Sequence, residues 1–345
     1  MRLSFHRLAV VSVLSLGMRM TVAAQSSAAP KMARFDRCPL EQGGAIESCE
    51  VAYRSYGTLT PTRDNVIVFT TWFLGRTDGL LGFYVGGPEQ LVDTTRYYVV
   101  TIDAFGNGQS SSPSTSGSQH GARFPRFTVR DLVESQHRLL HDVLGLPHVR
   151  AVMGTSMGGM QAVQWSVQYP DFMDKIVAVV PTPRTAVYDR VLWGTELRAI
   201  ETAASNTPPD SLLALLEGLH ALALQTPGYV NRTAAGGANE LVMQRVAEMR
   251  ERFDPWDWAS QLRAMLSHDV GAPFGGSLER AGAQVRARTL LIVATQDHMV
   301  TPASIFDWAR WTHADLLELR EECGHMAPGC ERERVQPAVM AFLAR

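Results

Sequence analysis

An excess of charge of either sign is missing from this 345-residue chain, in which 32 Lys and Arg stand against 34 Asp and Glu for a net charge of −2. Without a basic stripe or an acidic block, it lacks the footprint of a nucleic-acid binder and of a charged disordered tail. Beyond the N-terminal leader, no apolar run approaches the ~18 residues a membrane helix needs. There are four cysteines, with no Cys-x-x-Cys among them. The His-x-x-x-His pair His137 and His141 has Arg138 where a zinc protease needs glutamate. Neither a metal nor a cofactor is expected, and there are no internal repeats. No nucleic-acid or membrane partner is expected for the mature chain.

The N-terminus has the layout of a secretory signal peptide. Arg2, His6 and Arg7 precede the apolar stretch 8–16, and Val22-Ala23-Ala24 offers a small-residue cleavage site before Gln25. Residues 1–24 are therefore read as a leader and 25–345 as the mature domain, periplasmic or secreted, with 25–33 a short flexible lead-in. Four cysteines suit that address. Cys38 and Cys49 flank Gly43-Gly44, a hairpin-turn signal, and Cys323 and Cys330 bracket His325. Pairing 38–49 and 323–330 is favoured, although four cysteines allow three pairings and sequence does not choose among them.

The most informative segment is Gly154-Thr155-Ser156-Met157-Gly158. It follows the apolar run 149–153 and precedes a helix-like stretch. A serine hydroxyl is a weak nucleophile and must project from a sharp strand-to-helix turn toward a base. Glycines at 154 and 158 remove side chains that would collide across that turn. The following helix aims backbone N–H groups at the place where an oxyanion forms. Such a serine calls for an acid and then a histidine later in the chain. Asp297 follows the buried-strand run 288–295, and His325 follows the run 316–319. Asp269 and Asp103 are the rivals for the acid, and His298 is read as a bystander. In this arrangement His325 takes the proton of Ser156, and Asp297 fixes the imidazole tautomer.

Strand and helix patterns alternate along the chain, which implies an α/β fold with a mostly parallel sheet and helices on both faces. Strands are predicted at 51–56, 65–71, 97–102 and 174–180. Thr128 with Asp131 reads as an N-cap opening a helix to about Leu144. From about 183 to 266 the pattern is helical throughout, which reads as a lid inserted between two sheet strands. Sheet order resumes at 288, and 332–344 is the last helix.

Taken together, these motifs resemble the homoserine O-acetyltransferase branch of the α/β-hydrolase fold, from about Val51 to the C-terminus. Gly154-Thr155-Ser156-Met157-Gly158-Gly159-Met160-Gln161-Ala162 carries the resemblance most strongly. Residues 124–133, Tyr169-Pro170 and Arg252-Phe253-Asp254-Pro255 add to it. The resemblance implies a Ser156, Asp297, His325 triad, an oxyanion hole from the backbone N–H groups of Phe73 and Met157, and a homodimer formed through the lid. Two positions depart from the family. Its acetyltransferases carry a His-Ala-Leu-Thr-Gly-like run where this chain has Thr71-Trp72-Phe73-Leu74-Gly75. They also place an aspartate, associated with the amino group of homoserine, directly after the histidine, where this chain has Met326. A methionine does not pair with an ammonium group. Trp72 and Met326 are accordingly read as pocket residues that make the mouth apolar. The expected activity is that of a serine hydrolase cleaving small carboxylic esters through an acyl-enzyme, and the partner expected for the mature chain is a small-molecule ester substrate. The alternative is acetyl transfer from acetyl-CoA to an alcohol. A non-catalytic binding protein is the reading an intact triad disfavours.

Overall fold

The structure, a computed structural model, describes residues 29–345. The leader assigned to residues 1–24 lies outside the described residues. The first two strands, β1 (Lys31–Pro39) and β2 (Ala45–Tyr56), form an antiparallel hairpin. Its turn uses Gly43 and Gly44 at φ +92° and +78°, where a side chain would be strained. The Cys38–Cys49 disulfide ties the two strands together. The lead-in expected over 25–33 is therefore too long, because Lys31 to Ala33 already pair with β2.

The remaining strands are β3 (Val66–Thr70), the two-residue β4 (Val85–Gly86) and β5 (Val92–Asp93), β6 (Tyr98–Ile102), β7 (Val149–Thr155), β8 (Met173–Val179), β9 (Arg288–Ala294) and β10 (Asp315–Leu319). Eight of the ten strands make one sheet in the order β1-β2-β6-β3-β7-β8-β9-β10. From β6 to β10 every neighbour is parallel. Alternate residues feed opposite faces, as the strand period requires. Val66 and Val68 join one apolar cluster, with Leu132 and Val163, whereas Ile67 and Phe69 join another, with Val335 and Val339.

Helices α1 (Val129–Arg138) and α2 (Met157–Gln168) cover the first face. The Thr128–Asp131 capping box starts α1, and a π-helical turn, Leu139–Val143, extends it. Between β8 and β9 lie α3 (Val187–Ala203), α4 (Pro209–Leu224), α5 (Pro227–Thr233), α6 (Gly237–Met249), α7 (Pro255–Leu266) and α8 (Leu278–Gly282). Proline stands in the first turn of α4, α5 and α7, where its missing N–H costs nothing. Asp254 caps α7 by accepting from the N–H groups of Trp256 and Asp257. After β9 come α9 (Ala303–Trp311), the short α10 (Ala327–Cys330) and α11 (Arg332–Ala344), whose Val335 and Val339 pack on the second face.

Candidate active site

Ser156 sits between β7 and α2 at φ +56°, ψ −123°, a conformation rare for a residue with a side chain. Its N–H donates to the Val179 carbonyl at 2.9 Å, tying the turn to β8. The glycines around it are required by contact. A Cβ on Gly154 would lie 2.3 Å from the Gly158 carbonyl oxygen, and one on Gly158 would lie 2.5 Å from that of Thr70. A Cβ on Gly159 would meet the Val179 carbonyl oxygen at 2.9 Å. Helix α2 thus begins jammed against the ends of β3 and β8. Its cap makes no side-chain bond, so the Ser156 hydroxyl is left for another partner.

That partner is His325, whose Nε2 lies 2.9 Å from Ser156 Oγ. His325 Nδ1 lies 2.6 Å from Asp297 Oδ2. The other carboxylate oxygen, Oδ1, accepts from the Met299 and Val300 N–H groups at 2.8 and 2.9 Å. With Asp297 and His325 both buried, each polar atom of the acid–imidazole pair has its partner. The two rivals are engaged elsewhere. Asp103 accepts from Thr77 and Asn107 and lies near Arg54, and Asp269 pairs with Arg184 at 2.9 Å. His298 enters no hydrogen bond with Ser156 or Asp297 among the described residues. His137 and His141 stack on each other, and His137 stacks on Tyr169.

Neighbouring segments hold the histidine loop in place. Cys323 and Cys330 form a disulfide across it. Glu331 Oε1 accepts from the N–H groups of Arg320 and Glu321, and Thr226 at the start of α5 donates to the Glu322 carbonyl. Asp189 of α3 braces the loop after Asp297 by accepting from the Thr301 N–H at 3.1 Å. Burial pushes the Asp189 carboxyl up to about 6, with the Asp297 charge adding to the shift and the Thr301 bond opposing it.

The N–H groups of Phe73 and Met157 donate to no protein group among the described residues. The segments carrying them are fixed from behind. Gln161 Nε2 donates to the carbonyls of Thr71 and Met157, and Gln261 Oε1 accepts from the Leu74 N–H at 2.7 Å. Leu74 itself stands at φ +54°. Phe73 stacks on His220 and meets Trp258 edge-on.

Ser156 and His325 open onto a cavity of about 470 Å³. Trp72, Phe73 and Met326 line it, as do Trp193 and Trp258 from the helical insertion, whereas Trp256 does not and instead approaches Gly121. Sequence reasoning missed the polar members of this wall. Glu217 and Arg245 pair at 2.7 Å, and His220 lies 3.0 Å from the fully buried Glu196. No local pattern marks them, because each pair joins separate helices.

The chain belongs to the α/β-hydrolase fold family, whose model matches residues 75–328. It is 30% identical over 304 residues to an ethyl acetate hydrolase of Pseudomonas veronii, covering 84% of this chain and 86% of that protein. A homoserine O-acetyltransferase of Haemophilus influenzae is 28% identical over 307 residues, covering 79% and 85%. Among solved structures, the acetyl esterase MekB superposes with a TM-score of 0.86 at 24% identity, covering 92% of this chain and 97% of that one. The homoserine O-acetyltransferase of Bacillus anthracis gives 0.80 at 23% identity, covering 92% and 97%. The two solved structures share the fold.

Proposed function

We propose that this protein is a serine esterase that cleaves small carboxylic esters, with Ser156 as nucleophile, His325 as base and then acid, and Asp297 as the group that orients and stabilises the imidazolium. The hydrogen-bonded run from Ser156 through His325 to Asp297, opening on a largely apolar cavity, carries this reading. Ser156 Oγ attacks the ester carbonyl as His325 Nε2 takes its proton. The oxyanion accepts from the Phe73 and Met157 N–H groups, each such donor contributing about 3 kcal/mol in comparable sites. The intermediate collapses, the alcohol leaves with the proton from His325, and an acyl-enzyme remains. Water, deprotonated by His325, then releases the acid and frees Ser156.

The helical insertion acts as a lid that walls the cavity. Met326 and Trp72 make the mouth apolar, which favours an uncharged ester over an amino-acid acceptor. Acetyl transfer to an alcohol is the second reading, favoured by the likeness to homoserine O-acetyltransferases. The protein is exported, a reading its two disulfides support because such bonds persist in oxidising compartments. Exposed Val187, Tyr188 and Val191 on α3 support a homodimer through the insertion.

Acyl partition tests the assignment. Purified protein is given p-nitrophenyl acetate or acetyl-CoA, with and without L-homoserine, and acetate and O-acetylhomoserine are quantified. Free acetate from the aryl ester, unaffected by homoserine and lost in Ser156→Ala, is the expected result. O-acetylhomoserine as the main product would establish transfer instead.

A further inference from the structure

We infer that the Glu196–His220 pair is a recognition point for a hydroxyl group on the alcohol part of the ester, so that the preferred substrates are monoesters of diols and related polyhydric alcohols. The inference rests on the ester-cleaving reading and adds a substrate class to it.

Glu196 is fully buried on α3. Its Oε2 accepts from Trp258 Nε1 at 3.1 Å, and its Oε1 lies 3.0 Å from His220 Nδ1 on α4. Both Oε1 and Nδ1 are buried and neither makes a hydrogen bond among the described residues, so their 3.0 Å approach is an ion-pair contact. Nδ1 thus lies against the carboxylate, and Nε2 is the ring's other nitrogen. Nε2 has no protein partner and is not among the sealed polar atoms, on a ring that lines the same cavity as Ser156 and His325. Stacking of His220 on Phe73 fixes the plane of that ring.

An imidazole nitrogen without a protein partner, beside the rings of Phe73 and Trp258, is satisfied by a partner the ligand supplies. A hydroxyl fits whichever way the proton sits, since it donates to a bare Nε2 and accepts from a protonated one. A carboxylate would require the protonated form and further positive charge. Two arginines line the cavity, Arg245, already paired with Glu217, and Arg252, which has the Glu217 and Glu248 charges near it.

The test is the ratio of kcat/KM for 2-hydroxyethyl acetate to that for n-propyl acetate, which differ in one hydroxyl-for-methyl exchange. The expected ratio is about tenfold in the wild type, the worth of one hydrogen bond. It is expected to fall toward one in a double variant, His220→Phe with Glu196→Gln, which keeps an aromatic ring on Phe73 and leaves no orphan carboxylate. Glu196→Gln alone is expected to lower the ratio part of the way. Because any general damage to the Phe73 segment lowers both esters together, the ratio isolates recognition. A wild-type ratio near one, or a ratio unchanged in both variants, would overturn the inference while leaving the esterase reading standing. Failure of the wild type to cleave either ester or p-nitrophenyl acetate would overturn the esterase reading and the inference with it.

Discussion

The two sides of the cavity are built differently. On the sheet side, the backbone holds the proposed catalytic groups: Ser156 is wedged between β7, β3 and β8, and Asp297 is gripped by two N–H groups. On the helical side, the wall is made of side chains from α3, α4, α6 and α7, meeting in pairs such as Glu196 with His220 and Glu217 with Arg245. Gly154, Gly158 and Gly159 on the sheet side have no room for a Cβ, whereas Gly218 on the helical side has open space around it. Chemistry needs groups held to within a fraction of an ångström, whereas recognition can be rebuilt by exchanging wall residues. Ester hydrolases and acetyltransferases on this one fold are consistent with that division.

The sharpest way to break the comparison is to add the same methyl group on each side. Gly158→Ala forces a Cβ against the Thr70 and Thr71 carbonyls, at 2.5 and 3.0 Å. It is expected to cost about 3 kcal/mol and to abolish ester hydrolysis, as read by denaturant unfolding and by rate.

The seam between the two sides is expected to respond to acid. His268, just after α7, is fully buried and its Nε2 lies 3.0 Å from the Thr182 carbonyl at the end of the sheet side. Burial pushes its imidazole down to about 4 from an ordinary 6.5. The folded state therefore binds fewer protons than the unfolded chain between those values. The stability His268 contributes is present above pH 6.5 and is lost as pH falls through 4, up to about 3 kcal/mol in all. Asp189 and Asp257, both pushed up to about 6 mainly by burial, act in the opposite sense, since their burial cost is relieved as pH drops through 6. The difference in Tm between the wild type and His268→Gln is therefore expected to narrow from pH 7 to pH 4. A constant difference would remove His268 as the acid-sensitive pin.

The two disulfides separate stability from chemistry. Each closes a short loop, with separations of 11 and 7 residues, so losing either is expected to cost about 2 kcal/mol. Only the bridge across the His325 loop should alter turnover. Paired Cys323→Ser and Cys330→Ser changes are expected to lower kcat several-fold, while Cys38→Ser with Cys49→Ser leaves kcat unchanged. Equal effects on kcat would mean that the loop is positioned by its other bonds.

The smallest effect is the counterpart of the first. A Cβ on Gly218, within α4, would meet nothing within 4 Å. Gly218→Ala is expected to stabilise the protein by about 0.5–1 kcal/mol, measured as a rise in Tm, with no loss of ester hydrolysis.

What the sequence made legible divides along the same line. Strand, turn and helix around Ser156 were readable because the glycines at 154 and 158 are forced by local contact. That Asp297 and His325 would come near Ser156 was readable because each follows a strand at the same end of the sheet. The first hairpin was legible from Gly43-Gly44 between Cys38 and Cys49, but the start of β1 was not, since it is an edge strand whose exposed polar residues hide its alternation. Trp256 and Trp258 could not be told apart by periodicity alone. Two positions on a helix point about 200° apart, so one faces the cavity and the other turns away, but tertiary packing decides which. Glu196 and His220 were invisible because their meeting depends on how α3 and α4 pack, which no pattern of spacing encodes.

The most direct measurement is a rapid-mixing experiment with p-nitrophenyl acetate, followed by quenching and mass analysis of the digested protein. The expected result is a burst of p-nitrophenol stoichiometric with protein, an acetyl group on the peptide carrying Ser156, and neither in Ser156→Ala. Undiminished turnover in Ser156→Ala, or an acetyl group trapped on a different residue, would contradict the assignment of Ser156 as the nucleophile.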